Sequence, residues 1–285
     1  MTARKAALFR AAKWLSHKNV RGSGYLLSAC LPCWRTERAR YALSSGVTLE
    51  VPIGTSEHCW DMTDVEAYEH ELVSAFCCAI GSMSEVTLFD CGADIGLFSA
   101  VVCSRCAWVS RVLAFEPNLA VRDTFERNIA CLPGGEPYEA AVGESAGFGR
   151  LERPHYAPWS DHASYVVPAE TGFPVLPLDS FGIFGGNIAI KIDVEGGELG
   201  VIRGAIETIR TAAQCVLTLE VHPQVCARSG VRPGACMTQL ESIRPFRFLV
   251  TETGHWIKSS DAVIQQGRVL NLLCIAHCGD GAAWR

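Results

Sequence analysis

Four short, almost wholly apolar runs, at 86–89, 112–115, 188–192 and 216–219, alternate along the chain with segments of helical pattern at 97–108, 119–130 and 197–212. A run with no polar face must be covered on both sides. Strands of that kind, separated by helices, build a parallel sheet sandwiched between helical layers. The pattern changes at the end. Runs at 246–251 and 269–275 are joined by an irregular stretch without a helix, and strands joined that way pair antiparallel. The expected fold is α/β, a mostly parallel seven-stranded sheet with helices on both faces and an antiparallel last strand.

At 285 residues the chain fits one such domain preceded by an extension. Residues 1–44 read as a basic helical extension, with a helix over 3–20 ended by Gly22-Ser23-Gly24. Residues 45–285 read as the domain, with a strand at 47–52 and a helix over 64–80 opened by Thr63 or Asp64 and closed by Gly81. Residues 1–40 hold nine Lys or Arg against Glu37 alone, a local +8 within an overall −5, so the other residues sum to −13. Such a segment suits either the acidic body of its own domain or a peripheral contact with an anionic membrane. The negative total argues against nucleic acid as a partner.

Fourteen cysteines suggest disulfides, but many stand inside apolar runs, where they act as small hydrophobes. The apolar stretch at 25–34 is interrupted by Ser28 and Pro32 and is too short to span a bilayer. A reduced, cytoplasmic setting is expected. The pairs Cys30/Cys33, Cys103/Cys106 and Cys274/Cys278, the last with His277, lack the second pair a zinc site needs, so no metal ligands are predicted.

Two strand ends carry the chemistry. At the first, Asp90 precedes a turn holding Gly92 and Gly96, and a helix starts at once. Glycine there admits close backbone approach of a ligand, and the turn amides suit a carboxylate. Asp90 suits an ammonium group. At the second, Glu116 ends a strand twenty residues after Gly96, where a carboxylate can accept both hydroxyls of a ribose. Pro117 fixes the following turn, and Asn118 is placed to reach the adenosine. The dinucleotide fingerprint is G-x-G-x-x-G. Here the glycines stand four apart behind an acid that would repel a diphosphate, which favours S-adenosylmethionine over NAD. Asp193 ends a further strand, facing the crevice where open α/β sheets bind ligands.

The strings D-x-G-A-x-I-G-x-F-S at 90–99, F-E-P-N at 115–118 and K-I-D-V-E-G at 191–196 resemble the FkbM family of methyltransferases. Tyr68-Glu69 and Leu219-Glu220-Val221-His222 look like its flanking signals, so the resemblance spans roughly 45–275. It implies a Rossmann-like class I methyltransferase fold, S-adenosylmethionine as cofactor, and O-methylation of a sugar or other small hydroxylated acceptor. It also implies cofactor roles for Asp90, Gly92, Gly96, Glu116 and Asp193. Glu69 is expected to face the cofactor's amino group and Ala141 to line the adenine. Asp94 departs from the family, which usually has Asn there.

Methyl transfer to a hydroxyl needs a proton acceptor, and the candidates are Asp193, Glu195, Glu220 and His222. Glu195 and Glu198 also fit a helix start, where acids complement the dipole whatever their chemistry. Mg²⁺ is compatible with carboxylates at Asp193, Glu195 and Glu220 but is not predicted. The segment 156–162, with Trp159, Asp161 and His162, is expected to cover the acceptor. The competing readings are a non-catalytic adenosine-binding scaffold of the same fold and, with less support, an NAD-dependent oxidoreductase.

Overall fold

The apolar runs pair as the central strands of an eight-stranded sheet in the structure, a computed structural model that describes residues 38–52, 62–155, 164–260 and 267–276 and the isolated positions 11 and 14. The parallel strands are β3 (Val86–Cys91), β4 (Val109–Phe115), β5 (Gly135–Tyr138), β10 (Asn187–Ile192) and β11 (Gln214–Val221). The order across the sheet is β5-β4-β3-β10-β11-β14-β12-β13. β14 (Leu270–Ala276) runs antiparallel between β11 and β12 (Phe246–Val250), as expected. The eighth strand is β13 (His255–Ile257), a three-residue edge hairpin beyond the seven expected.

Strand periodicity sends successive residues to opposite faces. Leu88, Val112, Ala189 and Val216 therefore meet Phe76, Phe98 and Phe125 on one face, from α2 (His70–Ile80), α3 (Leu97–Arg105) and α4 (Arg122–Ala130). Phe89, Leu113, Ile190 and Leu217 meet Val201, Ile209 and Leu240 on the other, from α5 (Glu198–Arg203), α6 (Ile206–Thr211) and α8 (Ala235–Ile243). Strand order reverses between β3 and β10. The crevice at their carboxyl ends is the switch point at which such sheets bind ligands.

Four features differ from expectation. The helix over 64–80 is two, α1 (Met62–Ala67) and α2, broken at Tyr68-Glu69, where Glu69 takes a left-handed φ of 39°. The helix over 197–212 is also two, because the backbone of Gly143 packs against Gly204 so closely that a Cβ there would lie 2.0 Å from its carbonyl oxygen. A second sheet, β6-β9-β7-β8, fills the span between β5 and β10, from β6 (Ala141–Val142), β7 (Gly147–Glu152), β8 (Tyr165–Ala169) and β9 (Phe173–Leu176). Finally, β1 (Arg38–Ala42) lies within the expected extension yet pairs with β2 (Thr48–Pro52), and Arg38 donates to Thr124 Oγ1 at 3.0 Å. The helix at 3–20 and the basic residues before 38 lie outside the described residues, apart from positions 11 and 14. No described helix is long and apolar enough to cross a membrane.

Asn128 ties the N-terminal hairpin to the glycine turn. Its Oδ1 accepts from the Glu50 amide at 2.8 Å, and its Nδ2 donates to the carbonyls of Glu50 at 2.8 Å and Ile95 at 2.7 Å.

Candidate functional site

A cavity of about 310 Å³ opens at the carboxyl ends of β3, β4 and β10. That volume sits at the lower end of small-ligand clefts. Asp94, Glu116, Pro117, Asn118, Ala141, Asp193 and Glu195 line it, as do Gly92, Lys191 and Tyr68. Apolar surface comes from Phe115, Val142 and Val194.

Glu116 is the most defined polar group. Its Oε2 accepts from the Asp94 amide at 2.9 Å and its Oε1 from the Asn118 amide at 2.8 Å. A carboxylate has about four acceptor positions, so about two remain. Burial, seconded by repulsion from Asp94, pushes its pKa up to about 7 against the pull of the two amide bonds. Asn118 uses its side-chain Oδ1 to accept from the Ala120 amide at 3.0 Å, so that oxygen caps a turn rather than reaching into the cavity.

The glycines serve packing more than ligand approach. A Cβ on Gly92, whose φ is 80°, would stand 1.8 Å from the Asp193 carbonyl oxygen. One on Gly96, at φ 82°, would meet Ile129 Cδ1 at 2.8 Å, and Gly96 does not line the cavity. Nor are the first turn amides open to a carboxylate. Those of Gly92 and Ala93 both donate to the Phe115 carbonyl, each at 3.0 Å.

Asp90 also departs from expectation. It is wholly buried, outside the cavity lining, and accepts from Ser99 Oγ at 2.6 Å. The ammonium it meets is the chain's own. Parallel register sets Lys191 opposite Asp90, with Nζ 3.6 Å from Asp90 Oδ1, 3.2 Å from Asp193 Oδ2 and 2.5 Å from the Gly92 carbonyl to which it donates. Burial works against this ammonium, but Asp193 and Asp90 outweigh it and hold the pKa well above that of an ordinary lysine. Lys191 is the main site residue the sequence reading missed. A lone charge inside an apolar strand was the available signal.

The four candidate bases do not converge. Asp193, its side chain 40% exposed, and Glu195, at a left-handed φ of 55°, line the cavity. Glu69, by contrast, lies beside Glu220 in a separate small hollow, while its neighbour Tyr68 reaches the cavity. His222 borders a second small hollow that also includes Glu220. Burial, then the charges of Asp193, Glu195, Glu198 and Glu69, pushes Glu220 up to about 8. Glu198 accepts from the Gly196 amide at 2.8 Å, which fits a structural role.

The second sheet forms a wall of the cavity through Leu151, Ser164 and Val166, which the short, weakly patterned strands gave no means of anticipating. Arg228, from α7 (Pro223–Ser229), braces this wall. Its guanidinium stacks on Tyr165 at 4.1 Å and donates to the Glu195 carbonyl. Trp159, Asp161 and His162 lie outside the described residues, as do Cys30, Cys33, His277 and Cys278. The described cysteines carry free thiols, and among the described residues no group of three His, Cys, Asp or Glu is arranged to hold a metal ion.

A mostly parallel sheet with a cavity at its switch point defines an α/β protein of the Rossmann-like class. The sequence profile of the methyltransferase FkbM domain matches residues 90–255, more than half of the chain. The chain belongs to the FkbM methyltransferase family.

Among solved structures, methyltransferase FkbM from Methylobacillus flagellatus KT is 20% identical with a TM-score of 0.43, over 67% of this chain and 43% of that one. The match thus spans less than half of that relative's length. M. jannaschii TYW2 in complex with AdoMet is 11% identical, with a TM-score of 0.40 over 84% of each chain. Precorrin-6y C5,15-methyltransferase from Geobacter metallireducens GS-15 is 10% identical, with a TM-score of 0.37 over 72% of this chain and 88% of that one. No curated protein matches the sequence.

Proposed function

We propose that the protein methylates a hydroxyl of a small acceptor, such as a sugar, with S-adenosylmethionine as donor. The observation that carries this is Glu116, part-buried at the cavity edge with about two acceptor positions left for a ribose diol. The apolar wall of Phe115, Pro117, Ala141 and Val142 suits an adenine ring. Asp94, Asp193 and Glu195 around the same space oppose a pyrophosphate and so disfavour NAD.

When bound, the donor supplies a methyl group on a sulfonium centre. The chain aligns the acceptor and takes its proton. Alignment of two reactants lowers such a barrier by about 7–11 kcal/mol. A placed base adds about 10²–10⁴ in rate. Asp193 is the group for that role, since it lines the cavity with part of its carboxylate exposed.

Titration calorimetry with S-adenosylmethionine, S-adenosylhomocysteine and NADH tests the donor. Binding of the first two but not the third is expected, and a preference for NADH overturns the reading. Incubation with labelled donor and a metabolite extract, followed by mass spectrometry, separates an enzyme from a binding scaffold. Labelled product that vanishes in Asp193→Asn supports the enzyme.

A further inference from the structure

Beyond the donor cavity lie two small hollows, and buried polar atoms without partners gather around them. The first, about 20 Å³, is bordered by Glu69, Lys191, Asp193, Thr218, Glu220 and Asn271. It shares Lys191 and Asp193 with the cavity wall. The second, also about 20 Å³, is bordered by Glu198, Glu220, His222 and Arg232, and Glu220 is common to both hollows. Glu69 Oε2, Thr218 Oγ1 and His222 Nδ1 are buried with no hydrogen-bond partner, and Thr218 is only 2% exposed. Each hollow has room for one water molecule, and although the walls are largely apolar, these orphaned atoms supply such a water with polar partners.

The backbone explains the row. Residues two apart in a strand share a face, so Thr218 and Glu220 of β11 stand side by side. His222 keeps an extended conformation past the strand end, at φ −106° and ψ 111°, and continues the row.

We propose that Asp193, Glu220 and His222, bridged by one water in each hollow, form a route that carries the acceptor's proton from the donor cavity toward solvent. The route rests on the reading of the chain as an O-methyltransferase. In the reaction, a lone pair of the acceptor oxygen forms the C–O bond, and the C–S bond breaks with its pair staying on sulfur. The O–H proton passes to the Asp193 carboxylate. From there it moves through the first water to Glu220, which releases a proton from its other oxygen through the second water to His222 Nδ1, and so to solvent. Thr218 Oγ1 and Glu69 Oε2 anchor the first water.

Glu220 faces Asp193 and Glu195 from the loop after β10, Glu198 from α5, Glu69 from the start of α2 and Lys191 from β10, and it shares the second hollow with His222 and Arg232. Among these acids it holds a proton at neutral pH, as a relay group must before it passes one on.

The test uses the full chain and two near-isosteric variants, Glu220→Gln and Thr218→Val. Neither residue lines the donor cavity, so both variants are expected to bind S-adenosylmethionine within about twofold of wild type by calorimetry. High-resolution crystallography is expected to find a water in each hollow of wild type, the first lost in Thr218→Val. Turnover, read as labelled product from the metabolite extract, is expected to fall about tenfold in Glu220→Gln. Dry hollows, or a Glu220→Gln variant that turns over at the wild-type rate, in a protein that binds S-adenosylmethionine overturn the route alone. Failure of wild type to bind S-adenosylmethionine removes the proposed function, and the route with it.

Discussion

With the ribose placed as proposed, Glu116 is expected to tie affinity for S-adenosylmethionine to pH. Its pKa is pushed up to about 7, whereas accepting two ribose hydroxyls requires the ionised form. With that value the carboxylate is about nine-tenths ionised near pH 8 and about one-tenth ionised near pH 6, so affinity for S-adenosylmethionine is expected to fall about tenfold between them. Glu116→Gln supplies the control. One of the Asp94 and Asn118 amides would then face the glutamine NH₂, donor against donor, and charge-assisted bonds worth about 1.5–3 kcal/mol each would be lost. The variant should bind more weakly at every pH by more than about 2 kcal/mol, and without the tenfold step. The donor's own amino group also titrates in this window, but equally in both proteins, so the difference between the two curves isolates Glu116. Calorimetry at several pH values reads it. The same shift acts on stability. Because the folded state holds this proton more tightly than the unfolded chain, its contribution is present below about pH 4.5. It is lost as pH climbs through about 7, and amounts to at most about 3 kcal/mol. Equal affinity at pH 6 and pH 8 in wild type, or a Glu116→Gln variant that binds normally, would refute the placement of the ribose.

Lys191→Met leaves the buried Asp90 carboxylate without its counter-charge and should cost about 3–5 kcal/mol, read as a lowered chemical-denaturation midpoint. An unchanged midpoint would count against Lys191 as the partner of Asp90. Asn128→Ala removes three buried hydrogen bonds that join β2, α4 and the glycine turn, and is expected to destabilise by about 2–4 kcal/mol. Thermal melts in the presence and absence of S-adenosylmethionine check this, and an unaltered melting temperature would contradict it. Turnover is expected to persist in EDTA; loss restored by Mg²⁺ would assign a metal to the carboxylates around Asp193.

The central sheet was legible because its strands are short, apolar and spaced by helices, and such runs have few places to go. The break at Tyr68-Glu69 was not. No glycine or proline marks it, and the left-handed turn at Glu69 belongs to a tertiary arrangement that brings Tyr68 to the cavity and Glu69 to its neighbour. The second sheet was equally hidden, since its strands run from two to six residues and several of their side chains are exposed. Within the site, Asp94, Glu116, Pro117, Asn118, Ala141, Asp193 and Glu195 could be picked out as strand-end or turn residues that reach the crevice. Which of them offers free polar atoms could not, because that depends on bonds made across strands.

Those bonds explain why the motif reads more like a ligand cradle in sequence than it is in space. Gly92 packs on the Asp193 backbone, the amides of Gly92 and Ala93 bind the Phe115 carbonyl, and Asp90 neutralises Lys191. Each of these locks the end of β3 to β4 or, across the point where the strand order reverses, to β10. The free polar atoms are thus few and held in place: Glu116 clamped by two amides, and Asp193 held against Lys191. Among the described residues, such preset contacts limit the ordering cost of binding a ligand. The acidic surroundings of Glu220 then follow from the same topology. With Lys191 committed to Asp90 and Asp193, little positive charge is left to keep Glu220 ionised, and protonation is its cheaper state at neutral pH.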